Sequence, residues 1–419
     1  MKQMKNSQYD SRFRLEISET ASRIMEKKSA MAVKRLEEVM AAIENRPSNI
    51  KWFESVLHGH YKGNKPSIGY FCNMVPAELI RAFGAIPVRL DCGNPALVQY
   101  GEEILSGEIC PLARSSFAML ACNKEAISRC KALVIPAGCD AKRKLGEVLS
   151  DIIPCFTINL PSEQNQGLYI NAMAGEFERL ISFLKETLSA DFSRHALLNA
   201  ITESRKQTEL VRKVDLFRAN EPGSLSIRDW FIIIQSASGG VETSEWLKEA
   251  GQVLEEMKVY APKRKRIKPR LILTGAPIIW PNFKILNLVE ECGADVVGDI
   301  LCSGAQGMWD PVVIEETGTR SLLRALALRY VFASPCPCFI SQGKRLNRVL
   351  ELAEERKAAG VVQHGLRLCQ LFDIETYRLM RILRKKGIPF LNLRTDYSFE
   401  DTEQLRVRLE AFLETLETK

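Results

Sequence analysis

Between residues 8 and 45 apolar side chains recur every three to four positions, at Leu15, Ile17, Ala21, Ile24 and Met25, then at Val33, Leu36, Val39, Met40 and Ile43. That spacing predicts helix, and Pro47 ends it. From Ser67 the texture changes to short apolar runs separated by helical periodicity. SIGYFC, IPVRL, KALVIPAGC and PCFTINL read as strands, and PAELIRAFG and CPLARSSFAMLACNKEAI as helices. Residues 171–260 are helical throughout, with a Ser238-Gly239-Gly240 turn before the last stretch. The alternation then returns. RLILTGAPI, ADVVGDILC, YVFASPC, GVVQHGLRLC and PFLNLRTD read as strands, and a closing helix begins near Ser398, with Leu405, Leu409, Phe412, Leu413 and Leu416 on its apolar face. Strands alternating with helices imply parallel sheets with helical crossovers. The expected fold is α/β: two Rossmann-like parallel-sheet domains at 66–170 and 266–419, a helical N-terminal leader at 1–65 and a helical insert at 171–265. A weak echo supports two related halves, with glycine just past the first helix in each, at Gly84 and at Gly293.

A chain of 419 residues exceeds the size of one hydrophobic core. Its 46% hydrophobic and 26% charged content is that of a globular protein. No stretch approaches the roughly 18 consecutive apolar residues of a membrane helix. The first residues lack the apolar core of a secretory signal, which implies a cytoplasmic chain. Net charge is +7, enough to steer an anionic ligand or an acidic partner. The densest basic run is Lys263 to Arg266 with Lys268 and Arg270, and it reads as a solvated linker between Pro262 and Pro269. No nucleic-acid motif accompanies it.

Cysteine changes the picture. The chain has 12, and structural disulfides are rare in a reducing compartment. Five end an apolar run: Cys72, Cys139, Cys302, Cys336 and Cys369. A sixth, Cys110, precedes Pro111 at a helix start, where the helix dipole favours thiolate. In open parallel sheets the carboxyl ends of strands border the ligand crevice. Thiols gathered there point to a soft-metal site. Zinc sites use closely spaced pairs, and only Cys336 and Cys338 come near that. Ligands spread over hundreds of residues suit an iron–sulfur cluster held by a preformed fold. Lys142, Arg143 and Lys144, just beyond Cys139, would offset cluster charge, or would simply be a solvated helical turn. Cys92, Cys122, Cys130, Cys155 and Cys292 read as packing residues.

At these same residues the chain resembles the 2-hydroxyacyl-CoA dehydratase and benzoyl-CoA reductase superfamily. The matching segments are GYFCNMVPAELIRAFGAIPVRL, EICPLARSS, IPAGCDAKRK, DILCSGAQG, YVFASPCPC and GVVQHGLRLC. The resemblance implies that Cys110, Cys139 and Cys369 hold a [4Fe-4S] cluster with an open iron. Cys72, Cys302 and the Cys336/Cys338 pair resemble the double-cubane branch, which implies an [8Fe-9S] unit on six cysteines. Cys336 is taken as the sixth, with Cys338 its rival. The resemblance further implies a homodimer, an ATP-hydrolysing [4Fe-4S] activator as electron donor, and reduction of a small or CoA-thioester substrate. Dehydration of a 2-hydroxyacyl-CoA, as a lyase, is the alternative, and a cluster-carrying electron-transfer protein is another. The chain has no G-x-x-x-x-G-K-(S/T) phosphate loop of its own. Two departures stand out: Gln370 follows Cys369 where relatives often carry histidine, and Ala141 follows the Cys139-Asp140 pair where glycine is common.

Candidate catalytic residues are His364, five residues before Cys369, as a proton donor, and Ser303, which with Gln306 would contact substrate beside Cys302. A satisfied buried histidine and a simple turn explain the same residues. Arg114, Ser115 and Ser116 would bind an anion at the helix start or lie in solvent. His58 and His60 form a weak metal-ligand pair best read as part of a linker.

Overall fold

The computed structural model of the chain describes residues 46–59, 64–122, 128–260, 268–340 and 343–417, with scattered helical positions between 27 and 38. Most of the expected leader helix and the basic run from Lys263 to Arg266 lie outside the described residues, as does His60.

Two four-stranded parallel sheets organise the molecule. In the first, β1 (Ser67–Tyr70), β2 (Ile86–Arg89), β3 (Cys130–Pro136) and β4 (Cys155–Ile158) lie in the order β2-β1-β3-β4. In the second, β5 (Arg270–Gly275), β6 (Asp295–Ile300), β7 (Gly360–Leu366) and β8 (Phe390–Thr395) lie in the order β6-β5-β7-β8. Both sheets therefore share one topology, and in both the strand order reverses between the first and third strands. Such a reversal opens a crevice at the carboxyl ends of those strands. The strands are short apolar runs because helices cover both faces. All seven positions of β7 are buried.

Four helices join the sheets: Gln166–Leu188, Arg194–Asn220, Ile227–Ser236 and Thr243–Tyr260. Asn165, Ser193 and Ser226 cap the first three, each accepting a backbone N–H of the first turn. These helices do not form a core of their own. Met173, Phe177, Leu180 and Leu184 pack on the first sheet. Trp230, Trp246 and Val253 join Phe53 and strand residues Leu271, Leu273 and Val296 in the core of the second.

One segment departs from the periodicity reading. YVFASPC, expected as a strand, continues the helix Thr319–Ala327 as a π-helical turn, Leu328–Phe332, and then runs irregularly to Cys336. Its buried Val331 and Phe332 pack with Leu322, Leu323 and Leu326 on the first sheet, so helical packing overrides their β propensity. A segment late in the chain thus crosses to the first domain's core. Gln164 fastens it there: its Nε2 donates to the carbonyls of Val331 at 2.6 Å and Ser334 at 2.7 Å.

Removing both bonds with Gln164→Ala should free this segment locally at a cost of about 1 kcal/mol per bond. Hydrogen exchange should then quicken across residues 331–340 and nowhere else. Unchanged exchange there would show that the segment is held by other contacts.

Candidate functional site

The loops after β1, β3, β6 and β7, the start of the helix Pro111–Cys122 and the crossing segment after Phe332 meet around one cavity. Its volume is about 980 Å³, including the part open to solvent. Cys72, Cys110, Cys139, Cys302, Cys336 and Cys369 all line it, together with Cys338. Cys92, Cys130, Cys155 and Cys292 do not. Cys130 and Cys155 pack beneath the first sheet, Cys292 against the second core and Cys92 beside Leu97 and Ala118. The side chain of Cys122 is outside the described residues.

The thiols sit in two kinds of place. Cys110, Cys139 and Cys369 each immediately precede a helix, at Pro111–Cys122, Asp140–Leu149 and Gln370–Lys385. Cys139 and Cys369 follow the third strand of their respective sheets and are topological equivalents. In each case the backbone N–H three residues on, of Ala113, Lys142 and Phe372, acts to lower the thiol pKa. Neither Cys139 nor Cys369 forms a side-chain capping hydrogen bond. Cys72 follows β1 with φ +68°, and Leu368, just before Cys369, has φ +63°. Left-handed backbone in non-glycine residues costs free energy, and such strain clusters at functional sites.

Mutual electrostatics join the thiols in one network. Cys369 interacts with Cys110, Cys139 and Cys336, Cys302 with Cys72 and Cys336, and Cys139 with Cys336 and Cys72. Cys336 and Cys338 are free thiols joined by a hydrogen bond. Burial is the largest influence on Cys110, Cys139, Cys302 and Cys369. It pushes Cys110 up to about 11 and Cys302 up to about 12, and raises Cys369 and Cys139 as well. For Cys336 the bond to Cys338 raises the pKa first and burial adds to it. Thiols at these values are neutral at pH 7, so metal ligation must displace their protons.

Buried charges frame the cavity. Asp91 is 1% exposed and sits 2.6 Å from Arg89 Nε and 3.6 Å from Lys142 Nζ. Its Oδ2 also accepts the backbone N–H of Cys72 at 2.9 Å. Burial alone would raise the carboxyl, but Lys142 and Arg89 outweigh it and hold it down to about 2. Arg89 Nη1 donates to the carbonyl of Cys302 at 3.2 Å. Of the three cations after Cys139 only Lys142 faces the cavity. Arg143 and Lys144 pair outward with Asp140 and Glu147. On the other wall Arg345 reaches Glu375 at 2.6 Å, Thr274 Oγ1 at 2.7 Å and the carbonyl of Ile300, and lies over the Phe372 ring. Burial lowers its pKa, with Glu375, Cys336 and Cys302 acting against it. The Cys302 loop is shaped by Asp299, which accepts from the N–H groups of Leu301 and Ala305 at 3.1 Å each. A side chain at Gly304 would collide with that carboxylate.

The expected catalytic pair does not line the thiol cavity. His364 is buried in β7, its Nδ1 2.9 Å from the Ala276 carbonyl, and burial lowers its pKa to about 4. Ser303 Oγ accepts the N–H of Ile278 at 3.0 Å. Arg114 pairs with Glu102, its Nε buried without a hydrogen-bond partner among the described residues, and Ser115 donates to the Asn94 carbonyl. Ser116 accepts from Cys92 N and does line the cavity, as does Gln306. His58 packs edge-on against Trp280.

Among the described residues no three Cys, His, Asp or Glu side chains lie close enough to hold one metal ion. The thiols ring a space and do not converge on a point, which suits a polynuclear core better than a single ion. The Tyr397 hydroxyl is buried without a hydrogen-bond partner among the described residues, within electrostatic reach of Cys110 and Cys369. Nothing in the sequence pattern singled out Tyr397, Asp91 or Arg345.

A family model for the 2-hydroxyglutaryl-CoA dehydratase D-component matches residues 72–416. The chain belongs to this family. Among its relatives, a putative dehydratase subunit, YjiM, of Escherichia coli is 28% identical over 84% of this chain and 91% of its own length. The (R)-phenyllactyl-CoA dehydratase beta subunit of Clostridium sporogenes is 22% identical over 86% of this chain and 94% of its own. The (R)-2-hydroxyglutaryl-CoA dehydratase beta subunit of Acidaminococcus fermentans is 20% identical over 92% of this chain and all of its own. Among the described residues no helix is long and apolar enough to cross a membrane.

Two outcomes test the electrostatics. Asp91→Asn leaves Arg89 and Lys142 without their carboxylate and should cost about 3 kcal/mol in urea unfolding. A loss within experimental error would remove Asp91 from its central place. His364 has an ordinary value of 6.5, lowered to about 4 when folded. Below pH 6.5 the unfolded chain gains a proton that the folded chain refuses, so stability falls as pH drops from 6.5 towards 4. His364→Gln should flatten that part of the profile, and an identical slope would show that other groups cause it.

Proposed function

We propose that the chain is the iron–sulfur component of a reductase or dehydratase and that its thiol cavity holds a double-cubane [8Fe-9S] cluster. One observation carries this reading: seven cysteines from six separate segments line a single cavity, and their thiols interact across it. Cys110, Cys139 and Cys369 would hold one half. Cys72, Cys302 and Cys336 would hold the other, with Cys338 beside Cys336 as an alternative sixth ligand. Such a cluster supplies low-potential electrons to a bound substrate. The chain's own residues supply the rest. Arg89, Lys142 and Arg345 balance the negative charge of deprotonated thiols. The helix starts behind Cys110, Cys139 and Cys369 add their dipoles. Leu112, Leu145, Ile300 and Phe372 keep water away and so tune the potential. Ser303 and His364 act as positioning residues. They fix the backbone at Ile278 and Ala276, beside the cavity-lining Pro277.

An ATP-hydrolysing activator is the expected electron donor. The helix Gln370–Lys385, which starts at Cys369, supports such docking. It exposes Ile374, Tyr377 and Met380 among Arg378, Arg381 and Arg384, a face suited to an acidic partner close to the cluster. A second reading, a 2-hydroxyacyl-CoA dehydratase subunit with one [4Fe-4S] cluster and a CoA-thioester substrate, is favoured by the two named dehydratase beta subunits. The additional thiols Cys72, Cys302 and Cys336 weigh against it.

Anaerobic purification with iron and sulfide analysis separates the two. The first reading expects about eight irons per chain, falling to about four in a Cys72→Ala/Cys302→Ala double variant. About four irons in the wild type, unchanged by that variant, would select the second reading. A colourless chain without iron would end both.

A further inference from the structure

A second cavity of about 820 Å³, including its open mouth, abuts the first. Cys302 and Asn73 line both, and the Arg89–Asp91 pair spans the wall, Arg89 facing the second cavity and Asp91 the first. Its remaining walls come from the helices Ala77–Arg81, Arg194–Asn220 and Ile227–Ser236, the Cys302 loop and the π-helical turn. The lining mixes apolar side chains with several buried polar and charged ones.

Most of its polar groups are already engaged. Glu78 is 1% exposed and accepts the Tyr330 hydroxyl with both oxygens, at 3.1 and 2.9 Å. Arg329 donates to the Gly307 carbonyl at 2.8 Å and lies over the Tyr330 ring. Arg89 is held by Asp91 and the Cys302 carbonyl. Two donors stand out. Gln207 is 5% exposed, and its side-chain nitrogen has no hydrogen-bond partner among the described residues. Arg81, half-buried, has no carboxylate partner among the described residues. A buried donor without an acceptor costs free energy, and native structures keep one where a ligand or water satisfies it. An amide N–H and a guanidinium with no acceptor call for an anion with in-plane acceptors, which is a carboxylate. Glu78 and Asp310 in the same cavity limit its positive charge, so it suits one negative charge and disfavours a doubly charged phosphate.

We propose that this second cavity binds a small monocarboxylate, held by Arg81 and the Gln207 amide against the Cys302 loop. Its role as the substrate pocket rests on the iron–sulfur reading of the first cavity, whereas the binding itself does not. A ligand seated here lies one loop from the thiol cavity, and the Arg89 fork links its site to both Cys302 and Asp91.

The test is calorimetry on the anaerobically purified chain with acetate, propanoate, lactate and inorganic phosphate as probes, with iron content and the visible spectrum recorded on the same samples. At least one carboxylate should bind saturably and more tightly than phosphate. Arg81→Ala should weaken it at least about tenfold. Gln207→Leu should also weaken it while leaving the thermal unfolding temperature unchanged or raised, because it removes an unpaired buried donor. A purely structural glutamine would show the opposite pattern, with lower stability and unchanged affinity. No saturable carboxylate binding, wild-type affinity in both variants, or preference for phosphate would overturn the proposal. Carboxylate binding by an iron-free chain would overturn the iron–sulfur reading and keep the pocket. Iron without carboxylate binding would do the reverse.

Discussion

The Asp91 carboxylate is the group to which the first wall of the thiol cavity is tied. It joins Arg89 at the end of β2, Lys142 in the helix after Cys139 and the backbone of Cys72 after β1. Arg89 extends the tie across the domain boundary to Cys302. The second sheet repeats the device with a different residue at its centre. There Arg345 joins Thr274 at the end of β5, Ile300 at the end of β6 and Glu375 in the helix after Cys369. Each sheet thus fixes its own thiol loops through one buried ionic hub. Such hubs cost desolvation and add little net stability. Their value here is geometric: they hold strained segments such as Cys72 in a single arrangement and leave cations facing the thiols.

Much of this was legible in the sequence, for physical reasons that can be named. Parallel strands buried on both faces appear as uninterrupted apolar runs, so β3, β5 and β7 were visible. Helices that start at proline or a capping residue carry their own signals. Cys72, Cys139, Cys302 and Cys369 were visible because they stand just past the ends of strands, Cys110 because it precedes a proline-started helix, and Cys336 because it ends an apolar run that proves to be helical. The segment from Tyr330 to Cys336 was misread because a β-branched and aromatic run looks the same whether it pairs in a sheet or continues a helix. The ionic hubs were not legible. Asp91 and Arg345 have ordinary local sequences, and their partners come from elements far along the chain. Lys142 differs from Arg143 and Lys144 only in helical phase.

Family membership and site geometry support each other without being the same statement. The family match spans residues 72–416 and so includes every cysteine of the cavity. The geometry adds that Cys72, Cys302 and the Cys336/Cys338 pair lie in the same cavity as Cys110, Cys139 and Cys369, the pair brought there by a segment that crosses from one half of the chain to the core of the other. That crossing gives the two halves a shared site between them. The cavity on the far side of the Cys302 loop gives the site a second compartment with its own donors.

The most direct measurement is anomalous scattering at the iron edge from crystals of the anaerobically purified chain. Two iron centres are expected inside the thiol cavity, one beside Cys110, Cys139 and Cys369 and the other beside Cys72, Cys302 and the Cys336/Cys338 pair. Iron bound elsewhere, or a cavity whose cysteines are bridged by disulfides with no iron between them, would contradict the account.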